Sequence, residues 1–218
     1  MKSILCLIPA FHHQKELDIV CEQLSDYDVL IIDDGSIPML SSKRHIIRHN
    51  TNLGYGASQK TGFSFALTNK YERVALIHGD NQYSIPHILE AAHTMTDDAI
   101  QLGSRFLSSS PKMPLWRKWG NQFLTSSVNQ KFRVQYSDLH TGGRVYATKF
   151  LRKLPYHSFS NDFVFDHQLL LWAIRNHVAI REFPIPAKYD DSVSSISFSK
   201  AIPYGIGCML GIIAPSNP

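Results

Sequence analysis

The chain has 218 residues, 44% of them hydrophobic and 18% charged, with a formal charge of +4; this describes one globular domain with a substantial core and excludes a disordered or fibrous chain. The basic residues are scattered apart from Lys43-Arg44 and Arg117-Lys118, which excludes a nucleic-acid-binding stripe. Cys6, Cys21 and Cys208 show neither paired nor metal-binding spacing, as suits a reducing, cytoplasmic setting, and no apolar run approaches the roughly 18 residues of a spanning helix.

In chain order, residues 4–8 read as an aliphatic strand closed by Pro9, too short for a secretory signal, and residues 14–24 as a helix with apolar positions at Leu17, Val20, Cys21 and Leu24. Strands at 28–32 and 44–48, a helix at 56–67 and a strand at 74–77 follow. Such strand–helix alternation predicts an α/β fold with a mostly parallel sheet flanked by helices. Further on come a short strand at 100–105, helices at 116–132 and 163–176, and a strand at 180–187. Pro184 and Pro186 make the last of these an edge strand.

The chemistry gathers where strands end, which is where open α/β sheets build sites. Strand one exits through Pro9-Ala10-Phe11, strand two through Asp33-Asp34-Gly35-Ser36, and the fourth through His78-Gly79-Asp80-Asn81-Gln82. The last is a turn that could cap a helix, or an oxygen-rich loop suited to Mg²⁺ or Mn²⁺ on a diphosphate. Asp33 and Asp34 are either a solvated turn or site carboxylates. The glycine-rich segment 52–58 opens a helix whose amides could face a phosphate, yet it matches neither a Walker loop nor the dinucleotide fingerprint.

Taken in order, IPAF at 8–11, DDGS at 33–36, NLGYGAS at 52–58, HGDNQ at 78–82, GSR at 103–105 and SDLHTGGRVY at 137–146 resemble the family 2 glycosyltransferases, and within them the polyprenyl-phosphate branch that includes dolichyl-phosphate mannosyltransferase. The resemblance implies a single GT-A domain over residues 1–200, a UDP- or GDP-hexose donor, Mg²⁺ or Mn²⁺, and inverting transfer to a polyprenyl phosphate at the cytoplasmic face of a membrane. Transfer to a sugar hydroxyl of a glycan or glycolipid is the alternative. It places Pro9, Ala10, Phe11, Asp33 and Asp34 at the base and ribose, and Gly54, Lys60, Gly79 and Arg105 on the donor. It makes Asp80, with Gln82 and His78, the metal site, and Asp80, Asp138, Arg144 and Asp166 the catalytic set. His78 stands where the family has its first acid, so a non-catalytic nucleotide-sugar-binding protein is a reading of another class. A nucleotidyltransferase is disfavoured, since no glycine-rich loop with a following Lys comes right after strand one. Asp162 reads as a helix N-cap.

Residues 188–195 resemble a mobile acceptor-side segment of the family. The apolar residues 201–218, too short to span a bilayer, are expected to pack on the domain or lie at a membrane surface, and Trp116-Arg117-Lys118-Trp119 offers the aromatic and basic mixture of an interface.

Overall fold

β1 (Lys2–Ala10) is the strand around which the molecule is built: Leu5, Cys6, Leu7 and Ile8 are each 1% exposed or less, because both neighbours and both faces cover them. The computed structural model describes residues 2–96, 100–108, 113–189 and 198–214. The acceptor-side segment expected at 188–195 falls mostly outside the described residues, as do residues 215–218 of the tail.

β2 (Asp28–Asp33) and β4 (Tyr71–Leu76) flank β1 in parallel, with Ile8 opposite Ile31 and Leu7 opposite Leu76, and β3 (His45–Arg48) lies outside β2. Beyond β4 the direction changes. β6 (Arg144–Ala147) pairs antiparallel with both β4 and β5 (Ile100–Ser104), and β7 (Ile180–Pro184) runs parallel to β5 at the edge. The seven-stranded order is β3-β2-β1-β4-β6-β5-β7. Because the chain leaves β1 toward β2 and returns on its other side as β4, the carboxyl ends of β1 and β4 bound a crevice at a topological switch point.

The first helix, α1 (Gln14–Gln23), and α2 (Tyr55–Thr68) lie within two residues of their expected limits, as do α4 (Leu115–Phe132) and α6 (Val164–Arg175). Three elements differ from expectation. α3 (Ile85–Thr94) starts at a serine with Pro86 in its first turn, an arrangement favourable to a helix start. β6 is only four residues long and opens on an arginine, so it lacks an aliphatic run. The apolar tail is a helix, α7 (Phe198–Ile213), packed on α4 and α6, with Cys208 and Ile212 buried. The short α5 (Thr148–Leu151) follows β6 directly, Thr148 donating to the carbonyls of Tyr71 and Glu72. Asp162 makes no side-chain capping bond; the helix entry there passes through Phe163.

α2 crosses β1 closely because Gly62 has no side chain: a Cβ built there would lie 2.2 Å from Leu7 Cδ1 in the middle of the core. Gly62→Val should therefore overpack the α2–β1 contact and lower stability by about 1–3 kcal/mol, measurable as a reduced urea midpoint with an unchanged m-value.

Candidate active site

The loops leaving β1, β2 and β4 converge as their motifs imply. Gly79 packs beside Ala10, and the 78–82 turn is closed by Asn81 N–H to the His78 carbonyl (3.3 Å) and by Gln82 N–H to Asp80 Oδ1 (3.1 Å). Asp80 and Gln82 are 7% exposed. The same loop is clamped from the far edge of the sheet, since Lys188 N–H donates to the Gln82 carbonyl and Tyr83 bridges Ala187. Pro9, Ala10 and Phe11 form the adjoining rim, Phe11 being 41% exposed with its ring against His12. An exposed aromatic face at a strand exit suits stacking on a planar base.

Asp33 and Asp34 build loops here. Asp33 accepts from the backbone amides of Ser36 and Leu40 and from Arg48, and those donors hold its carboxyl below the usual carboxylate range against the cost of burial. Asp34 accepts from Leu53 N–H and Gly54 N–H, both at 2.9 Å, and meets His49 Nδ1 at 2.7 Å. Before any ligand binds, their oxygens are thus met by amides, by Arg48 and by His49 of the protein itself. Gly54, at φ 103°, makes this grip possible, and a Cβ there would press on the Asn161 carbonyl at 2.4 Å. That carbonyl also caps α2, accepting from Gly56 N–H (2.7 Å) and Ala57 N–H (3.2 Å). These amides, expected to be open to a phosphate, are occupied.

Three further expectations are corrected. Lys60 does not reach the crevice: its ammonium donates to the His157 and Phe159 carbonyls and to Asn161 Oδ1, tying α2 to the 157–161 loop. Arg105 is not free to hold phosphate, and Asp138 is not placed to act as a base. The two form a bidentate pair, Nε to Oδ2 at 2.7 Å and Nη2 to Oδ1 at 2.9 Å, with both side chains at most 4% exposed. Arg105 also donates to the His140 carbonyl and Tyr189 hydroxyl. Glu182 of β7 holds the turn from the other side, accepting from the amides of Ser137 and Asp138.

Asp166 is the carboxylate left at the centre. From the first turn of α6 it accepts from Gln59 Nε2 at 2.6 Å and from the Tyr55 hydroxyl at 3.3 Å, with Arg144 Nη2 at 3.5 Å. Arg144, 1% exposed, also donates to the Thr141 carbonyl at 2.9 Å, so it lies beneath the site as a fixed cation. The Tyr55 hydroxyl meets His78 Nε2 at 2.9 Å, which gives a relay His78–Tyr55–Asp166. Burial holds the His78 imidazole below its ordinary value although Asp80 and Asp166 both pull it upward, and burial beside Asp166 raises the Tyr55 phenol well above its own. With Nε2 engaged by Tyr55, only Nδ1 of His78 could serve a metal. Tyr55 and Gln59 were not anticipated from the sequence, although their separation of four places them on one face of α2.

The profile of the glycosyl transferase family 2, "Glycosyl transferase family 2", matches residues 7–156. The chain belongs to this family, and it is an enzyme, a glycosyltransferase. Among solved structures, glucosyl-3-phosphoglycerate synthase from Mycobacterium tuberculosis in complex with Mn²⁺, UDP and phosphoglyceric acid is similar at TM-score 0.71 and 12% identity, over 99% of this chain and 80% of that one. The same enzyme with Mg²⁺ and UDP gives 0.72 and 13%, over 99% and 81%, and with phosphoglyceric acid alone 0.72 and 13%, over 99% and 82%. At these identities the likeness shows the fold, which is GT-A. A search of curated proteins with this sequence gives no match.

Removing Asp138 would strand the buried Arg105 charge, so Asp138→Ala should destabilise the fold by about 3–5 kcal/mol. The check is chemical denaturation; a variant as stable as the parent would mean that the pair is not a structural one.

Proposed function

We propose that this enzyme transfers a hexosyl group, with inversion, from a nucleotide-diphosphate sugar to a hydroxyl of a glycan or glycolipid, using Asp166 as general base. The carrying observation is the position of Asp166 at the crevice, oriented by Gln59, Tyr55 and Arg144. A hydroxyl must lose its proton as its oxygen attacks the anomeric carbon, and a carboxylate within hydrogen-bond reach takes it while the bond to the diphosphate oxygen breaks. A polyprenyl phosphate, the acceptor implied by the sequence motifs, is already anionic and needs no base. The likeness to a synthase whose structures hold phosphoglyceric acid also favours a non-lipid-phosphate acceptor.

In this reading the base of the donor lies against Pro9, Ala10 and Phe11, and the diphosphate lies over the 78–82 turn. The donor set there fits Mg²⁺ or Mn²⁺: Asp80 uses Oδ1 to close the turn on the Gln82 N–H, and its second oxygen, with the side chain of Gln82, offers the hard oxygen ligands such an ion takes. Asp80 with Gln82 would hold such an ion, which would offset the charge that develops on the leaving group. Buried Arg144 keeps Asp166 in one place, and the Tyr55 bridge keeps His78 turned toward it. Asp166→Asn should lower transfer by about 10²- to 10⁴-fold while calorimetry still shows donor binding, whereas Asp80→Ala should abolish metal-dependent donor binding. Full turnover in Asp166→Asn would remove the base from the scheme, and transfer to a polyprenyl phosphate but to no hydroxyl acceptor would overturn the acceptor.

The place of work is proposed to be an anionic lipid surface. α4 exposes Leu115, Trp116, Trp119 (69%) and Phe123 (62%), and α7, packed against it, exposes Ile202, Ile206 (57%), Leu210 (64%) and Ile213. Neither helix contains an acidic residue, while α4 carries Arg117, Lys118 and Lys131. Apolar stripes with an aromatic and cationic margin and no anion match the interface of an anionic bilayer. No helix among the described residues is long and apolar enough to cross one. The protein should cosediment with phosphatidylserine-containing vesicles more than with neutral ones, and the double variant Trp119→Glu, Ile206→Glu should stay in the supernatant. Self-association through this face with no vesicle binding would instead identify a dimer interface.

A further inference from the structure

On the side of α6 that meets α7, a second group of side chains has no part in the chemistry above. His140 comes from the loop after Asp138, His167 from α6 and Cys208 from α7, and one ligand atom of each lies within 4.8 Å of the others. His167 and Cys208 are 1% and 0% exposed. α7 is seated here because Gly207 and Gly211 let it approach Val164 and Leu171.

Each histidine has one nitrogen engaged and one buried without a partner. His167 Nε2 meets the Cys208 carbonyl at 3.2 Å and can only donate to it, so its proton is on Nε2 and Nδ1 carries a lone pair. His140 Nδ1 meets the Tyr204 hydroxyl at 2.7 Å, which leaves Nε2. These two remaining nitrogens, His167 Nδ1 and His140 Nε2, are among the few buried side-chain atoms with no hydrogen-bond partner. Orphaned buried acceptors are rare and call for an unseen water or ion. Metal-binding histidines characteristically donate their other N–H to a carbonyl or similar group, the pattern His167 already shows.

We infer that His140, His167 and Cys208 form a binding site for a thiophilic divalent cation of the Zn²⁺ class, which fastens α7 to the body of the domain. Two histidines and one cysteine supply the nitrogen and sulfur ligands Zn²⁺ prefers, with a fourth position left for water. The imidazole centroids are 5.5 Å apart, close to the roughly 5 Å expected for two imidazoles at about 2.0–2.1 Å from one tetrahedral ion. One ligand atom of each residue lies within 4.8 Å of the others, so the set closes by about 1 Å to reach tetrahedral spacing. This group is distinct from the oxygen-rich turn at Asp80 in both residues and chemistry, and the inference does not rest on the transferase reading.

The test uses full-length protein stripped with chelator, in an Asp80→Ala background so that the oxygen site does not contribute. Titration with Co²⁺, read by thiolate-to-cobalt charge-transfer absorption, and with Zn²⁺, read by metal content and thermal midpoint, should give about one ion per chain. Cys208→Ser should lose the charge-transfer band, His167→Gln should bind more weakly, and Tyr204→Phe, which removes the partner of His140, should lose about 10- to 100-fold in affinity. Near-ultraviolet circular dichroism matching the chelated parent shows that a variant is folded. Absence of the band in the parent protein, or Co²⁺ binding unchanged in Cys208→Ser, would overturn the site.

Discussion

The site depends on a buried cation. Arg144 opens β6, and its guanidinium is enclosed by the Thr141 and Leu139 carbonyls and by Asp166. A guanidinium removed from water is tolerated only where its donors are met, so the chain around it has little freedom: the 139–143 loop must curl back over β6, and α6 must present its first turn to the same point. The result is an Asp166 with a fixed position and a counter-ion below it. Gln59 and Tyr55 then complete its coordination from α2, and His78 follows from β4 through Tyr55. Three elements remote in sequence are registered by one ion pair.

The same accounting of charge separates carboxylates that look alike in the sequence. Asp33, Asp34 and Asp138 are buried and meet amides, histidine or arginine on their oxygens, so their effect is to shape loops. Asp80 and Asp166 sit at the crevice: Asp80 is met by the amide of Gln82, and Asp166 by the neutral donors Gln59 and Tyr55 and, at 3.5 Å, by Arg144. The 33–36 motif also builds the site: Asp34 draws in the backbone at Leu53 and Gly54, which positions Tyr55 at the head of α2. A loop-building carboxylate and a ligand-binding one share the same local signature, and only the distant partners, such as Arg105 lying 33 positions before Asp138, distinguish them.

That difference defines how much was legible beforehand. Elements built from local periodicity, the strands around Leu7, Ile31 and Ala75 and the helices carrying Phe63 and Leu169, could be placed from the sequence because their burial pattern is carried by neighbouring residues. The convergence of strand exits followed from the parallel topology. What could not be read depends on pairing across the fold. β6 is a strand because β4 and β5 accept it, and Lys60 is a staple because the 157–161 carbonyls happen to surround it. Cysteine spacing likewise revealed nothing at Cys208, since its neighbours His140 and His167 lie 68 and 41 positions away in the chain.

The C-terminal helix links these levels. One face of α7 is anchored, through Cys208 and Ile212 against α6 and through Tyr204 to His140, while the opposite stripe of isoleucines and leucine stays in contact with solvent. His140 follows the Asp138 that pairs with Arg105, and His167 follows Asp166, so the anchor of α7 and the catalytic carboxylate share the same two segments of chain. An ion at the three ligands would stiffen the loop that wraps Arg144, and through Arg144 the position of Asp166. Docking of the exposed stripe on a surface would press on that same anchor. The helix is thereby placed to couple where the enzyme sits to how firmly its base is held, using only contacts already present between α6, α7 and the 138–143 loop.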